Sequence, residues 1–135
     1  MISTLERSLY ADHVLALRPN VSRDDLRSLL CEAFGHMKKR YDFKFDLSAS
    51  SRIVCTELVY RSFDGKGAIK IPLVRFLGRF TLTCDQLADY ALHAGTPGQA
   101  AFEPVAFFLK RPGAPGQWVP HDEIVRVASE IRGVR

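Results

Sequence analysis

Between Ser22 and Lys38, apolar residues recur at intervals of three and four. Leu26, Leu29, Leu30, Ala33, Phe34 and Met37 make one stripe of an amphipathic helix. Ser22 and Asp25 resemble a capping box at its start, and Lys38-Lys39-Arg40 closes it, where cations suit the dipole. Upstream, Thr4 to Ala11 reads as a short helix, and His13 to Leu17 as a strand closed by Arg18-Pro19-Asn20. Tyr41 to Phe45 reads as extended and Leu47 to Ser51 as a loop. The period then changes. Ile53 and Val54 are β-branched and favour extended backbone. From Cys55 the pattern turns helical, with Leu58, Val59 and Phe63 able to share a face with Cys55 and with Glu57 and Arg61 pointing elsewhere. Asp64-Gly65-Lys66-Gly67 ends that helix.

The stretch Ile69 to Leu82 is apolar but broken by Pro72 and Gly78, and defines no element. Another helix starts at Thr83, with Gln86 three residues on and a Leu82–Leu87 staple, and ends near His93, before Gly95-Thr96-Pro97-Gly98. Val105 to Leu109 is a fully apolar run, read as a buried strand. Pro112 to Gly116 is a turn-rich loop, and Asp122 to Arg132 a last amphipathic helix. Helices mixed with few strands predict an α+β fold, and the length of 135 residues predicts one domain over 1–135.

Composition adds limits. The chain is 47% hydrophobic with a net charge of +4, enough apolar material for a core and little electrostatic bias. Lys38-Lys39-Arg40 is the one basic run, and it lacks aromatic interleaving, so no nucleic-acid partner is expected. No run is long enough for a membrane span. Cys31, Cys55 and Cys84 are odd in number and widely spaced, with no metal-ligand pattern. That predicts no metal or cofactor and a reducing, cytoplasmic location. Cys31 reads as a small, incidental residue.

Cys55 carries the candidate chemistry. At the junction of an extended segment and a helix, it would lie beside unpaired N–H groups and the positive end of the dipole. These stabilise a thiolate and bind a developing oxyanion. A thiol nucleophile also needs a base. His13 precedes Cys55 on a predicted strand and is the candidate. His36 falls off the apolar stripe of its helix, His93 ends a helix and His121 begins one. The Tyr41 hydroxyl is a candidate oxyanion donor. Glu57 either pairs with Arg18 or Arg61 or complements the first helical turn; Asp42 and Asp46 shape the preceding loop.

Tyr41-Asp42, Phe45-Asp46 and Cys55-Thr56-Glu57-Leu58-Val59 together resemble the cysteine segment of the permuted papain-like amidases, the YiiX/YebB group, distant relatives of bacterial cell-wall hydrolases. The resemblance extends upstream through Asp12 to Pro19 and downstream through Leu82 to Leu87 and Val105 to Leu109, covering residues 1–110. It implies a permuted papain-like cysteine hydrolase fold, a small antiparallel sheet with packed helices, and Cys55 as nucleophile toward a peptide, amide or acyl-ester substrate. In that family the histidine strand precedes the Arg-Pro strand. The resemblance therefore implies that this chain carries the C-terminal two-thirds of the domain, without the N-terminal histidine strand. The sheet edge so exposed predicts a homo-oligomer. Two other readings stand beside it. One is a catalytically inactive remnant acting as a binding domain. The other is an acyltransferase whose Phe76–Phe80 region lines an apolar groove.

Overall fold

The computed structural model describes residues 4, 9–44, 47, 51–76, 78–93 and 100–133. In chain order the elements are β1 (His13–Pro19), α1 (Arg23–Gly35), β2 (Arg40–Tyr41), β3 (Arg52–Ile53), α2 (Cys55–Phe63) and β4 (Val74–Phe76). They continue with β5 (Arg79–Thr81), α3 (Cys84–His93), β6 (Phe102–Leu109), β7 (Gln117–Trp118), a 3₁₀ turn (His121–Glu123) and α4 (Ile124–Gly133). The fold is α+β, with four α-helices and small sheets among the described residues. The chain divides into two compact units: Met1–Pro19 with Phe102–Arg135, and Asn20–Ala101.

The first unit is built on an antiparallel sheet of order β1-β6-β7. His13 lies opposite Leu109 and Arg18 opposite Glu103, whose side chains form a surface ion pair of 3.9 Å. The register shifts between Ala16 and Leu17: Ala16 faces Ala106, Leu17 faces Pro104, and Val105 is left without a partner. That bulge explains how a proline sits inside the central strand, because a residue without an N–H is tolerated where the ladder is already broken. It also corrects the reading of Val105–Leu109 as uniformly buried. Phe102, Phe107 and Leu109 are buried, whereas Val105 is exposed. On α4, Ile124, Val127 and Ala128 are buried at the three- and four-residue spacing of an amphipathic helix, and the helix packs on β6. The expected helix from Asp122 is a 3₁₀ turn followed by α4.

In the second unit α1 packs on α2. The Ser22 cap is present: the Asp25 amide donates to Ser22 Oγ at 3.1 Å, and the Ser22 hydroxyl donates to the Asp25 carboxylate at 2.8 Å. The helix ends at Gly35, earlier than the apolar stripe predicts. The amides of His36, Met37 and Lys39 donate to carbonyls three residues back, forming tight turns in place of helix, so the basic run lies beyond the helix end. Only Leu29 of the stripe is buried; Leu26, Leu30, Phe34 and Met37 are exposed. The segment from Tyr41 is not a long strand. The Asp42 carboxylate accepts the Lys44 amide at 3.0 Å, and this side-chain turn bends the chain after Tyr41.

The undefined stretch before Leu82 forms the antiparallel hairpin β4–β5, whose Gly78 takes φ +80°, a left-handed value that glycine adopts without strain. Gly65, just past α2, takes φ +78° and serves the helix end as its position predicts. The predicted helix over Thr4–Ala11 and the loop at Gly95–Gly98 fall largely or wholly outside the described residues, as does Asp46. No helix among the described residues is long and apolar enough to cross a membrane.

Candidate active site

Cys55 is the first residue of α2 and is exposed. The residue before it, Val54, is extended (φ −102°, ψ 164°), buried at 1% exposure, and makes no side-chain cap. A valine anchor fixes the turn into the helix but offers no acceptor. Leu58 is the first amide of α2 to find an intrahelical carbonyl, that of Val54 at 2.9 Å. Among the described residues, the N–H groups of Cys55, Thr56 and Glu57 find no acceptor in this first turn, next to an exposed thiol. This is the predicted junction, realised by the predicted residues.

Tyr41 reaches the same neighbourhood through β-pairing. β2 and β3 are parallel, with Arg40 opposite Arg52 and Tyr41 opposite Ile53, two residues before Cys55. The Asp42 amide extends the ladder to the Ile53 carbonyl at 3.2 Å. Tyr41 is 46% exposed and its ring packs on Phe43, centroids 4.8 Å apart.

The interior face of α2 differs from the apolar one expected. Thr56, Glu57 and Ser62 are buried, while Leu58 and Val59 are half-buried. Glu57 is 1% exposed and its Oε1 accepts Arg61 Nε at 2.7 Å, so Arg61, not Arg18, is its partner. Arg61 also donates from an Nη to the Leu47 carbonyl at 2.6 Å. Glu57 Oε2 accepts no hydrogen bond among the described residues. The arrangement ties the helix to the loop before β3.

Arg61 also lines a cavity of 530 Å³, together with Leu47, Tyr60, Leu73, Arg79 and Phe80. Cys55 is not among its lining residues; the cavity lies along the later turns of α2. Burial, then the charge and hydrogen bond of Asp64, push the Tyr60 phenol above its usual range, with Arg61 opposing.

Sequence reasoning assigned no role to Cys84. It opens α3 as Cys55 opens α2, behind a closed capping box: the Gln86 amide donates to Thr83 Oγ1 at 3.2 Å and the Thr83 amide to Gln86 Oε1 at 2.9 Å. Burial first, then the charge and hydrogen bond of Cys55, then Asp85, push the Cys84 thiol up. The available signal was positional, because both cysteines follow directly on a predicted helix start.

The histidines separate clearly. His36 pairs with Glu32 at 3.2 Å. His93 Nδ1 lies 3.1 Å from the Asp89 carbonyl and 3.3 Å from its carboxylate. His121 Nε2 donates to the Pro104 carbonyl at 3.0 Å, which fixes the proton on that nitrogen because a carbonyl only accepts. His13, in the first unit, is exposed and makes no side-chain hydrogen bond among the described residues; it lines a cavity with Leu109, Lys110 and Glu130. Cys55 and Tyr41 thus both lie in the second unit, with Tyr41 paired to the residue two before Cys55, and His13 belongs to the first unit. No cluster of three or more His, Cys, Asp or Glu among the described residues is arranged to hold a metal ion.

Comparison with curated proteins and with solved structures finds no match. A family model does match, over a span containing His13, Tyr41, Cys55 and Cys84. The model is that of the permuted papain-like amidase enzymes, YaeF/YiiX, C92 family; it matches residues 4–113, and the chain belongs to that family.

Proposed function

We propose that this chain, with residues 1–135 acting as a single domain, is a cysteine hydrolase that cleaves a peptide, amide or acyl-ester bond by acyl transfer to water. The observation that carries this reading is the position of Cys55: an exposed thiol at the first residue of a helix whose opening N–H groups have no side-chain cap. Family membership supplies the reaction class, and the helix terminus supplies the electrostatics. Three free thiols suit a reducing compartment such as the cytoplasm.

In the acylation step the Cys55 sulfur bonds to the substrate carbonyl carbon, and the carbonyl oxygen gains the charge. The N–H groups at the start of α2, with the Tyr41 hydroxyl, hold that oxyanion. The bond to the leaving nitrogen or oxygen then breaks, and the leaving group takes up a proton. Water attacks the resulting thioester, and the sulfur leaves as thiolate. Acyl transfer also requires a base and acid, a role for which the sequence offers His13 as the candidate.

The test is turnover of ester and amide substrates by the wild type, Cys55→Ser and His13→Ala. The reading expects turnover in the wild type, none in Cys55→Ser and a severe loss in His13→Ala. Activity retained in Cys55→Ser overturns the nucleophile, and activity retained in His13→Ala overturns the base. A wild type without turnover, with Cys55 shown to be reduced, overturns the enzymatic reading.

A further inference from the structure

The 530 Å³ cavity beside the later turns of α2 takes no part in the hydrolytic reaction. Arg61, which lines it, follows Cys55 by about 9 Å along the helix axis and about a third of a turn around it. The lining is of two kinds. Leu47, Leu73 and Phe80 are apolar, whereas Arg61 and Arg79 present only hydrogen-bond donors. No carboxylate lines the cavity among the described residues.

The two arginines are not equivalent. Arg61 Nε donates to Glu57 and one Nη to the Leu47 carbonyl, and Glu57 offsets its charge. Arg79 is exposed, and its guanidinium has no hydrogen bond or ion pair among the described residues. Its backbone is held in the β4–β5 ladder opposite Phe76, just after the left-handed turn at Gly78. Next to it Phe80 is 57% exposed. The surrounding sequence leaves that charge uncompensated: from Gly65 to Cys84 the chain carries Lys66, Lys70, Arg75 and Arg79 and no Asp or Glu. Asp64, the next carboxylate upstream, is not among the lining residues and accepts the Ile71 amide at 2.9 Å.

We propose that this cavity binds a monocarboxylate with an apolar, ring-sized body, with Arg79 pairing to the carboxylate and Leu47, Leu73 and Phe80 holding the body. A guanidinium fork matches a carboxylate in geometry and charge. An apolar wall with one placed charge is the usual make-up of a small-molecule site, and the cavity is within the size range of such sites. An inorganic anion would leave the apolar wall unused, and a neutral apolar ligand would desolvate Arg79 without a partner. A free small acid and the C-terminus of a peptide share this chemistry, and the test separates them. The site does not depend on the hydrolase reading, because binding itself is measured.

Hydrocinnamate is titrated into the full, isotope-labelled chain and followed by amide chemical shifts, with hydrocinnamyl alcohol as the neutral control. The proposal expects saturable binding with a dissociation constant of about 1 mM, the strength usual for a ligand of this size. Shifts should centre on Tyr60, Arg61 and Gly78 to Phe80, away from Cys55. The alcohol should bind about tenfold or more weakly, since it loses the charge-assisted pair. Arg79→Gln should weaken the acid by the same factor and leave the alcohol unchanged. Arg79→Lys, which keeps the charge and loses the fork, should fall between. Arg75→Gln, on the same hairpin but not lining the cavity, should bind as the wild type. An unchanged spectrum away from the hairpin verifies that each variant is folded. Acetyl-Ala-Ala-Phe is then titrated into Cys55→Ser, which lacks the thiol. Tighter binding than hydrocinnamate identifies a chain terminus as the source and weaker binding a free acid; both uphold the site. Absence of saturable binding by hydrocinnamate, equal binding of acid and alcohol, undiminished binding by Arg79→Gln, or shifts centred elsewhere would each overturn it.

Discussion

Removing the Arg61 side chain should destabilise the protein more than any exposed charge would suggest. Its partner Glu57 is 1% exposed, and the Nε–Oε1 contact is 2.7 Å. The second oxygen of Glu57 has no donor among the described residues, so Arg61 is its main compensation. Breaking a buried pair by deleting one partner costs about 3–5 kcal/mol, because the remaining charge stays buried. Arg61 itself is 34% exposed, so water partly replaces it, and the lower end, about 3 kcal/mol, applies. For a domain of this size that corresponds to a fall in melting temperature of about 10 °C. Thermal and urea unfolding of Arg61→Met, followed by circular dichroism, measure it. The cause is separated from lost packing by the double variant Glu57→Gln with Arg61→Met. That variant buries no unpaired charge and should be more stable than Arg61→Met alone. An Arg61→Met protein within about 0.5 kcal/mol of the wild type, a typical surface effect, would refute the reasoning.

Thr83→Ala opens the capping box of α3 and should cost about 1 kcal/mol, read as a shift in urea midpoint at unchanged slope. Iodoacetamide labelling across pH should show Cys84 reacting with a midpoint above the ordinary 9.0; Cys55→Ser should lower that midpoint by removing one of the influences that raise it. Because the folded pKa is raised, the stabilisation from the Cys84 thiol is complete below its unfolded value and is lost as pH rises through the folded one. Tyr41→Phe should reduce turnover by up to about 10²–10³-fold, the worth of one oxyanion donor, while leaving Cys55 alkylation unchanged.

The features legible in the sequence are those that neighbours along the chain decide. Ser22 with Asp25 and Thr83 with Gln86 are contacts three residues apart; Ser22 caps its helix and the Thr83–Gln86 capping box closes. The switch from Ile53-Val54 to Cys55 is local too, and the helix begins there. Features set by distant partners were not legible. Val105 is exposed because its bulge depends on pairing with residues about ninety positions earlier. The partner of Glu57 was not legible, because two arginines were available and only the fold selects Arg61. The influence of burial and of Cys55 on the Cys84 thiol depends on where α2 and α3 lie, which spacing along the chain does not say. The stripe on α1 gave the helix but not its burial, since spacing defines a face and says nothing of what covers it.

The parallel pairing of β2 with β3 spans two residue pairs, Arg40 with Arg52 and Tyr41 with Ile53, plus the Asp42 amide. So short a ladder is among the least costly parts of a structure to open, and its amides should exchange with solvent long before those inside α2. Cys55 is held by a buried valine and a helix, whereas Tyr41 sits in this short ladder. The two ends of the site therefore differ in permanence. In the proposed role, the contribution of Tyr41 to rate would scale with the fraction of time the ladder is closed, and a ligand that binds only the closed form gains affinity from any change that raises that fraction.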